Sequence, residues 1–369
     1  MLLIQTDRET LLKTLQSVTG IVERRHTLPI LSNVLLEGQA NHFSFTATDL
    51  EIQVKAHSGE VKLEQDFSIT VSAKKLQDIL RALPEGTKLT LDQQDSKILV
   101  KAGKSRFNLQ TLPAEDFPKF STSDSGEQKV EIAQKTLRDL LNQAQFAMAQ
   151  QDIRYYLNGM LLVIRGGEIR AVATDGHRLS YASEKIDGIA AVDAEVIVPR
   201  KTVLELLRLL GDTEDKATIE IAKNQIKFSF NEVSLNSKVV DGKFPDYTKV
   251  IPAVYNNKFF VDRVTFLHAL QRAAILSNEK FRGVRMVLTQ DSVRVISSNS
   301  EQEEAQEELE IKYGGEPIDI GFNVSYLLDV LNNVSSQEVE CSFGDSNSSG
   351  VFTIPGNDNF KYVVMPMRI

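Results

Sequence analysis

The sequence predicts an α+β fold assembled from six copies of one unit, a helix followed by three or four antiparallel strands. Three observations carry this. Six helical segments align on an apolar pair four residues apart: Leu11/Leu15, Leu76/Leu80, Leu137/Leu141, Val203/Leu207, Phe266/Leu270 and Leu327/Leu331. The first members recur every 61 to 66 residues along the whole chain, the signature of an internal repeat. An i, i+4 pair lies on one helical face, so each helix has a stripe to bury. A strand-like run ends at a polar or proline boundary before each helix, and several strand-like runs follow it. One such unit cannot cover both faces of its sheet, so the units should pack in pairs. That gives three domains, 1–126, 127–254 and 255–369, divided at the linker-like stretches Ser121–Gly126 and Ile251-Pro252.

In chain order, Leu2–Gln5 runs into Thr6-Asp7, Ile69–Val71 into Ser72, and Phe259–Val261 into Asp262. Ser, Thr and Asp accept hydrogen bonds from the free N–H groups of a first helical turn, so these residues are N-cap candidates. After the second helix, Pro84-Glu85-Gly86 turns the chain into Lys88–Leu91, Ile98–Ala102 and Ser105–Thr111. Before the fourth helix, Val196–Val198 stops at Pro199, which ends a strand and suits a first helical turn. That helix sets Val203, Leu207 and Leu210 on one face and Arg200, Lys201, Glu205 and Arg208 among the others. Ala217–Ala222, Gln225–Phe230 and Val233–Val239 follow as strands. Units two and four end in related segments, Leu112–Pro118 and Val240–Tyr247.

The composition is that of an ordinary globular protein, 42% hydrophobic and 25% charged over 369 residues. The single cysteine, Cys341, excludes an internal disulfide and a Cys-rich zinc site, and a reducing cytoplasm fits it. MLLIQTDRETLL lacks the apolar core of a signal peptide, and no stretch reaches the length of a membrane span. A net charge of −8 argues mildly against nucleic acid. The predicted helices are nevertheless net basic, as at Lys74, Lys75 and Arg81, so the rest of the chain is more acidic than the total. A surface shared by the helices would attract a polyanion, although Lys and Arg are also simply good helix formers.

No catalytic constellation stands out. Gly103-Lys104-Ser105 ends like a P-loop, but Ile98 stands where its first glycine belongs and the segment lies between strands. Thr174-Asp175-Gly176-His177-Arg178-Leu179 reads as an Asp-Gly turn with a structural histidine, since HExxH and a cysteine pair are both absent. There is no GxSxG elbow and no GxGxxG after a strand. Gln150–Gly159 combines a cation, two tyrosines and amides, which suit phosphates and exposed bases, or else a strand with one aromatic buried. Ser300–Glu308 holds five glutamates, a solvated face or a charge-matched subunit contact with Lys75, Lys104 and Arg106. The apolar end, Tyr362–Ile369, should dock, completing a core or offering two methionines to varied partners.

Taken together, several long segments resemble the bacterial DNA polymerase III beta subunits, the beta sliding clamps. They include Thr27–Leu31, Arg106-Phe107, Leu112–Pro118, Asp152–Met160, Ala173–Leu179, Val198–Lys201, Asp241–Tyr247, Ala273–Arg285, Gly321–Leu331 and Val363–Arg368. The resemblance implies a DNA clamp fold of three similar domains, each of two half-units. It also implies a ring closed by two chains head to tail, with helices lining the hole. Such a clamp is non-catalytic and needs no cofactor. It encircles duplex DNA without sequence preference, and an ATP-dependent clamp loader places it. It tethers the DNA polymerase III alpha subunit, other polymerases and repair factors carrying short clamp-binding peptides. No membrane is involved and the expected location is cytoplasmic.

By position, the resemblance assigns DNA contact to Arg25, Arg81, Gln151, Tyr155, Tyr156, Arg200 and Lys201. It assigns a partner-peptide pocket to Leu157, Thr174, Gly176, His177, Arg178, Leu179, Pro245, Val250, Tyr326, Val363, Met365, Pro366, Met367 and Arg368. It assigns the subunit contact to Phe107, Leu109, Ile275 and Leu276, rimmed by Lys75, Lys104 and Arg106 facing Glu301, Glu303 and Glu304. Lys74 and Lys249 stand where some members have Arg, keeping the charge but losing the guanidinium fork. Gly344–Asn359 matches no motif.

Overall fold

All six helices form: α1 Arg8–Val18, α2 Ala73–Ala82, α3 Gln134–Gln145, α4 Arg200–Leu209, α5 Arg263–Ile275 and α6 Val324–Asn333. The computed structural model describes residues 1–23, 28–61, 63–120, 128–189, 191–253 and 255–369. The boundaries expected near residues 126 and 254, and the linker Ser121–Gly126, lie outside the described residues. Among the described residues each helix is preceded by one strand and followed by three, so the repeating unit is strand, helix, three strands.

Five of the six apolar pairs are fully buried. The fourth helix differs. Its buried stripe is Val203, Leu206 and Leu210, Leu207 is half-buried, and Glu205 is only 6% exposed. The cause is Arg208, which donates to the Glu205 carboxylate at 2.6 Å and to the carbonyls of Gln16 and Ser17 at 3.2 and 2.9 Å. A buried carboxylate is tolerated because it is paired. The caps follow the sequence in two cases: Asp7 accepts from the Thr10 N–H at 2.7 Å and Asp262 from the Thr265 N–H at 2.8 Å. Ser72 stands at its N-cap without a side-chain bond.

The sheets show how the units pair. The strand leading each helix joins the first strand after the neighbouring unit's helix, not a strand of its own unit. Leu2–Asp7 pairs Lys88–Gln94, and Phe67–Ser72 pairs Asn33–Gln39. The same exchange links Gln128–Ala133 with Lys216–Ile221 and Asp193–Pro199 with Gly159–Arg165. It recurs between Asn257–Asp262 and Glu338–Phe343, and between Ile318–Asn323 and Gly283–Thr289. The last strands of four units then join in two pairs, Ile52–His57 with Val233–Lys238 and Arg178–Lys185 with Asn357–Val364. This yields two eight-stranded antiparallel sheets, while Ser105–Gln110 and Glu304–Glu310 remain as the edges of two four-stranded sheets.

The chain forms two compact units, 1–137 with 204–239 and 138–203 with 240–369. Each contains one eight-stranded and one four-stranded sheet. In the first, α1 packs on α2 and on the strands His42–Thr48 and Ile52–His57, over a core that includes Phe43 and Phe45 edge to face at 5.8 Å. In the second, α5 packs on α6 and on Ser292–Ser298 and Glu304–Glu310, and Phe259, Phe343, Phe352 and Tyr362 form a chain of ring contacts beneath.

Candidate functional site

An apolar cleft is built around the turn at residues 174–178 in the second compact unit. The Thr174 hydroxyl donates to the carbonyl of Arg178 at 2.5 Å and accepts the Gly176 N–H at 3.1 Å. Asp175 Oδ1 accepts the N–H groups of His177 and Arg178 at 2.9 and 3.1 Å. The turn favours a glycine: Gly176 has φ +90°, and a Cβ there would press on Arg154 Nη1 at 2.9 Å. The structure thus contains the Asp-Gly turn read from the sequence. The His177 ring is exposed, and its carbonyl accepts the N–H of Met365 at 2.9 Å, which draws the end of the chain alongside.

Leu179 and Val363 face each other across neighbouring strands and form the floor with buried Phe244. Tyr156, Tyr247 and Val250 pack on that floor as partly buried walls. The cleft is about 130 Å³, room for one or two apolar side chains. Ten of the expected residues line it together: Leu157, Thr174, Gly176, His177, Arg178, Leu179, Pro245, Val250, Val363 and Met365. Tyr326, Pro366, Met367 and Arg368 do not. Tyr326 lines an adjoining polar depression with Asp329 and Gln150. Met367 instead donates to the carbonyl of Gly321 at 2.8 Å, and the Ile369 side chain rests on Gly283 and Gly321, so the apolar end is docked.

Arg154, Phe244 and Tyr247 also line the cleft, although only Leu157 and Pro245 among their neighbours were expected there. The Phe244-Pro245-Asp246-Tyr247 segment carried the available signal, as the shared ending of unit four. Arg154 is fixed by a fork on Asp152, at 3.0 and 2.9 Å, and by the carbonyl of Asp175 at 3.1 Å. That guanidinium, with the Arg154 N–H, pulls the Asp152 carboxyl down to about 2. Asn158 closes the loop with two bonds to the backbone of Asp152, at 2.9 and 2.8 Å.

Arg178 is an anchor more than an open pocket wall. Its guanidinium donates to Asp175 at 3.0 Å, to Asp329, and to the carbonyl of Phe146 at 2.7 Å, and it lies 4.5 Å over the ring of Tyr326. Burial alone would lower its pKa. Tyr362, Asp329 and Asp175 outweigh burial and raise it, so Arg178 stays charged.

Of the residues expected on a nucleic-acid face, Arg25 lies outside the described residues. Arg81 is exposed in the first compact unit. Gln151, Tyr155, Arg200 and Lys201 belong to the second. Gln151 is exposed at φ +57° and Tyr155 is 57% exposed, whereas Lys201 is exposed at the start of α4. The N–H of Arg200 donates to the Asn158 carbonyl at 3.0 Å, which ties α4 to this loop. Tyr156 was expected on the same face, but its half-buried ring is a wall of the cleft. Lys249 pairs with Asp246 at 3.2 Å, and Lys74 is exposed.

At the expected subunit contact, Lys75, Lys104, Arg106, Glu301, Glu303 and Glu304 are exposed, Ile275 is 76% exposed, and Phe107 and Leu276 are half-buried. Leu109 departs from the expectation. It is 7% exposed, opposite Ile98 in its own sheet, and belongs to the core of this chain. Gly103-Lys104 is the two-residue turn between Lys97–Ala102 and Ser105–Gln110, with Gly103 at φ +58°, and no helix follows it. No group of three or more His, Cys, Asp or Glu side chains suited to a metal occurs among the described residues.

Family models of the DNA polymerase III beta subunit match three successive stretches: the N-terminal domain over residues 2–121, the central domain over 131–246 and the C-terminal domain over 248–368. The chain is 47% identical over 365 residues to a beta sliding clamp of Pseudomonas aeruginosa, covering 98% of each. It is 44% identical over 363 residues to that of Escherichia coli, covering 98% of this chain and 99% of the other. A crystal structure of the DNA polymerase III subunit beta from Pseudomonas aeruginosa aligns with a TM-score of 0.96 at 46% identity, covering 99% of this chain and 100% of that one. The chain therefore belongs to the DNA polymerase III beta subunit family, the beta sliding clamps.

Proposed function

We propose that the protein is a non-catalytic sliding clamp: two copies close head to tail into a ring that encircles duplex DNA and tethers a replicative polymerase. The observation that carries this is the pair of unit-ending strands left without a partner among the described residues. Four of the six last strands join in two pairs, and only Ser105–Gln110 and Glu304–Glu310 are left over among the described residues. A free edge is a template for another strand. Lys104 and Arg106 stand at one edge, and Glu301, Glu303 and Glu304 at the start of the other. Opposite charges on different edges favour a head-to-tail contact, and such a contact assembles a ring when its rotation closes. Ile275, Leu276 and Phe107 supply the apolar part. The proposed domain boundaries fall near residues 126 and 254, and the exchange of leading strands between units one and two, three and four, and five and six supports this division.

The acidic total suits this role. Retention on a ring is topological, so a weakly basic helical wall is enough to hold phosphates loosely, and the acidic remainder repels stray polyanions. Arg25, Arg81, Gln151, Tyr155, Arg200 and Lys201 are the proposed DNA contacts. The apolar cleft at Leu179, Val363 and Met365 takes short peptides from the polymerase III alpha subunit, other polymerases, the clamp loader and repair factors. Encirclement and tethering need no cofactor, and the cytoplasm is the proposed location.

The test is to place the protein on nicked circular DNA with a clamp loader and ATP, and then to linearise the DNA. Retention on the circle and loss from the linear form is the expected result. Equal retention on both would refute topological binding.

A further inference from the structure

The first joint, where Ile52–His57 meets Val233–Lys238, repeats the hydrogen bonds of the peptide cleft. The Thr48 hydroxyl donates to the carbonyl of Ile52 at 2.8 Å and accepts the Leu50 N–H at 3.1 Å, as Thr174 does with Arg178 and Gly176. Asp49 Oδ1 accepts the N–H groups of Glu51 and Ile52 at 2.9 and 2.8 Å, as Asp175 does for His177 and Arg178. The N–H of Lys238 donates to the carbonyl of Glu51 at 3.0 Å, where Met365 donates to His177. Pro118 and Phe120 stand where Pro245 and Tyr247 stand. Thr48, Leu50, Pro118, Lys119, Phe120 and Lys238 bound a cleft of about 190 Å³, entirely within the first compact unit.

Two differences set its chemistry. Leu50 holds φ +76° where the other turn has Gly176, so a leucine is kept in a backbone conformation that disfavours it. This leucine gives the cleft an apolar wall beside Phe120 and Pro118. At the rim, Lys119 and Lys238 replace Asp246 and Met365, so the charge is cationic on two sides. Their partners are Glu37 at 2.7 Å and Glu51 at 3.0 Å, in pairs whose lysines are about half exposed. The Lys238–Glu51 pair is exposed on both sides, so a ligand carboxylate can replace Glu51 at little cost, whereas half-buried Glu37 also holds Lys55 at 3.3 Å, so a ligand shares Lys119 with it.

We propose that this first joint is a second docking cleft, selective for a short peptide with an aliphatic or aromatic residue flanked by carboxylates. The proposal rests on the reading of the Leu179–Val363 cleft as a peptide site, because it extends that site's architecture to a second copy. Lys119 and Lys238 favour acidic flanks at this rim, whereas at the other cleft Asp246 is paired with Lys249 and Arg154 with Asp152.

Hydrogen–deuterium exchange of the full-length protein tests this. The probe is a synthetic hexapeptide with Leu-Phe between glutamates and aspartates, compared with the same peptide bearing amides in place of carboxylates. The acidic peptide should slow exchange at residues 48–53, 119–120 and 236–239, and the amide form should not. Lys119→Glu with Lys238→Glu should weaken that protection at least about tenfold while leaving residues 174–179 and 363–365 unaffected. Unchanged exchange at 48–53 with millimolar acidic peptide would overturn the proposal, and so would equal protection in the double variant. A polymerase tail peptide added to the same protein and read at 174–179 and 363–365 tests the other cleft separately, so failure of the reading on which the proposal rests is seen on its own.

Discussion

The two joints between the paired units are close copies that differ in what holds them and what they expose. At the first, Ile52 sits against Ser237 and is 1% exposed in an apolar core. At the second, the equivalent position is Arg178, opposite Val364, with its guanidinium in a web of Asp175, Asp329, the Phe146 carbonyl and the Tyr326 ring. The next pair is Gln53 with Asn236 at the first joint and Leu179 with Val363 at the second. The polar member of each joint has simply changed places. The first joint is anchored by an aliphatic side chain and has an amide floor, with Gln53 accepting the Phe120 N–H at 3.0 Å. The second is anchored by an ionic hub and so frees its floor to be apolar. Moving the charge from the surface of the cleft to its support is what makes the cleft there apolar.

The largest effects should come from removing the anchors. Ile52→Ala should cost about 2–5 kcal/mol through loss of buried area and the cavity left behind. Arg178→Ala should cost about 3–5 kcal/mol, because Asp175 and the Phe146 carbonyl lose their donor. Denaturant melts of the two variants read both. If Arg178→Ala proved nearly neutral while Ile52→Ala did not, the hub would not be an anchor, and the parallel between the joints would break. Arg178→Met should recover less than Arg178→Lys, since the acceptors need a donor and not merely volume.

A smaller effect is expected at the turns. Gly176→Ala forces φ +90° on a residue with a Cβ and pushes Arg154 off the turn, so affinity for a polymerase tail peptide should fall about tenfold. Leu50→Ala at the first joint should leave that affinity unchanged. Fluorescence anisotropy with the labelled peptide compares them, and equal losses would mean that the two joints are not separable.

The smallest expected effect is with pH. The Asp152 carboxyl is drawn to about 2 by Arg154, below its ordinary value. The contribution of this clamp is therefore complete above the ordinary carboxylate range and is lost only as pH falls through about 2. Tail-peptide affinity measured from pH 8 to pH 5 should show no step from Asp152, and Asp152→Asn should weaken binding several-fold at every pH in that range. A step present in the native chain and absent from Asp152→Asn would contradict this.

The sequence made the repeat legible because an apolar i, i+4 pair and the spacing of 61 to 66 residues are both local properties. It showed less where distant partners decide. Glu205 is buried because Arg208 reaches the carbonyls of Gln16 and Ser17, more than half the chain away in sequence, so the buried stripe of α4 turned from Leu207 to Leu206. Exchange of the leading strands was invisible, since pairing between strands distant in sequence is not a local property of either strand. Leu109 and Tyr156 looked like contact residues, and their burial against Ile98 and the cleft floor depends on register and on packing around the floor. Arg178 lines the apolar cleft, and its partners, the Phe146 carbonyl and Asp329, lie too far away in the sequence to be read from it.

The claim that these units close into a ring around DNA has a direct chemical test. Cys341 is fully buried, so cysteines introduced by Arg106→Cys and Glu304→Cys are the reactive pair. The variant is loaded on nicked circular DNA, joined with a short bis-maleimide and treated with SDS. A covalent dimer that stays on the circle through SDS and is released on linearisation is the predicted result. Release by SDS from intact circles despite complete cross-linking would contradict closure around DNA.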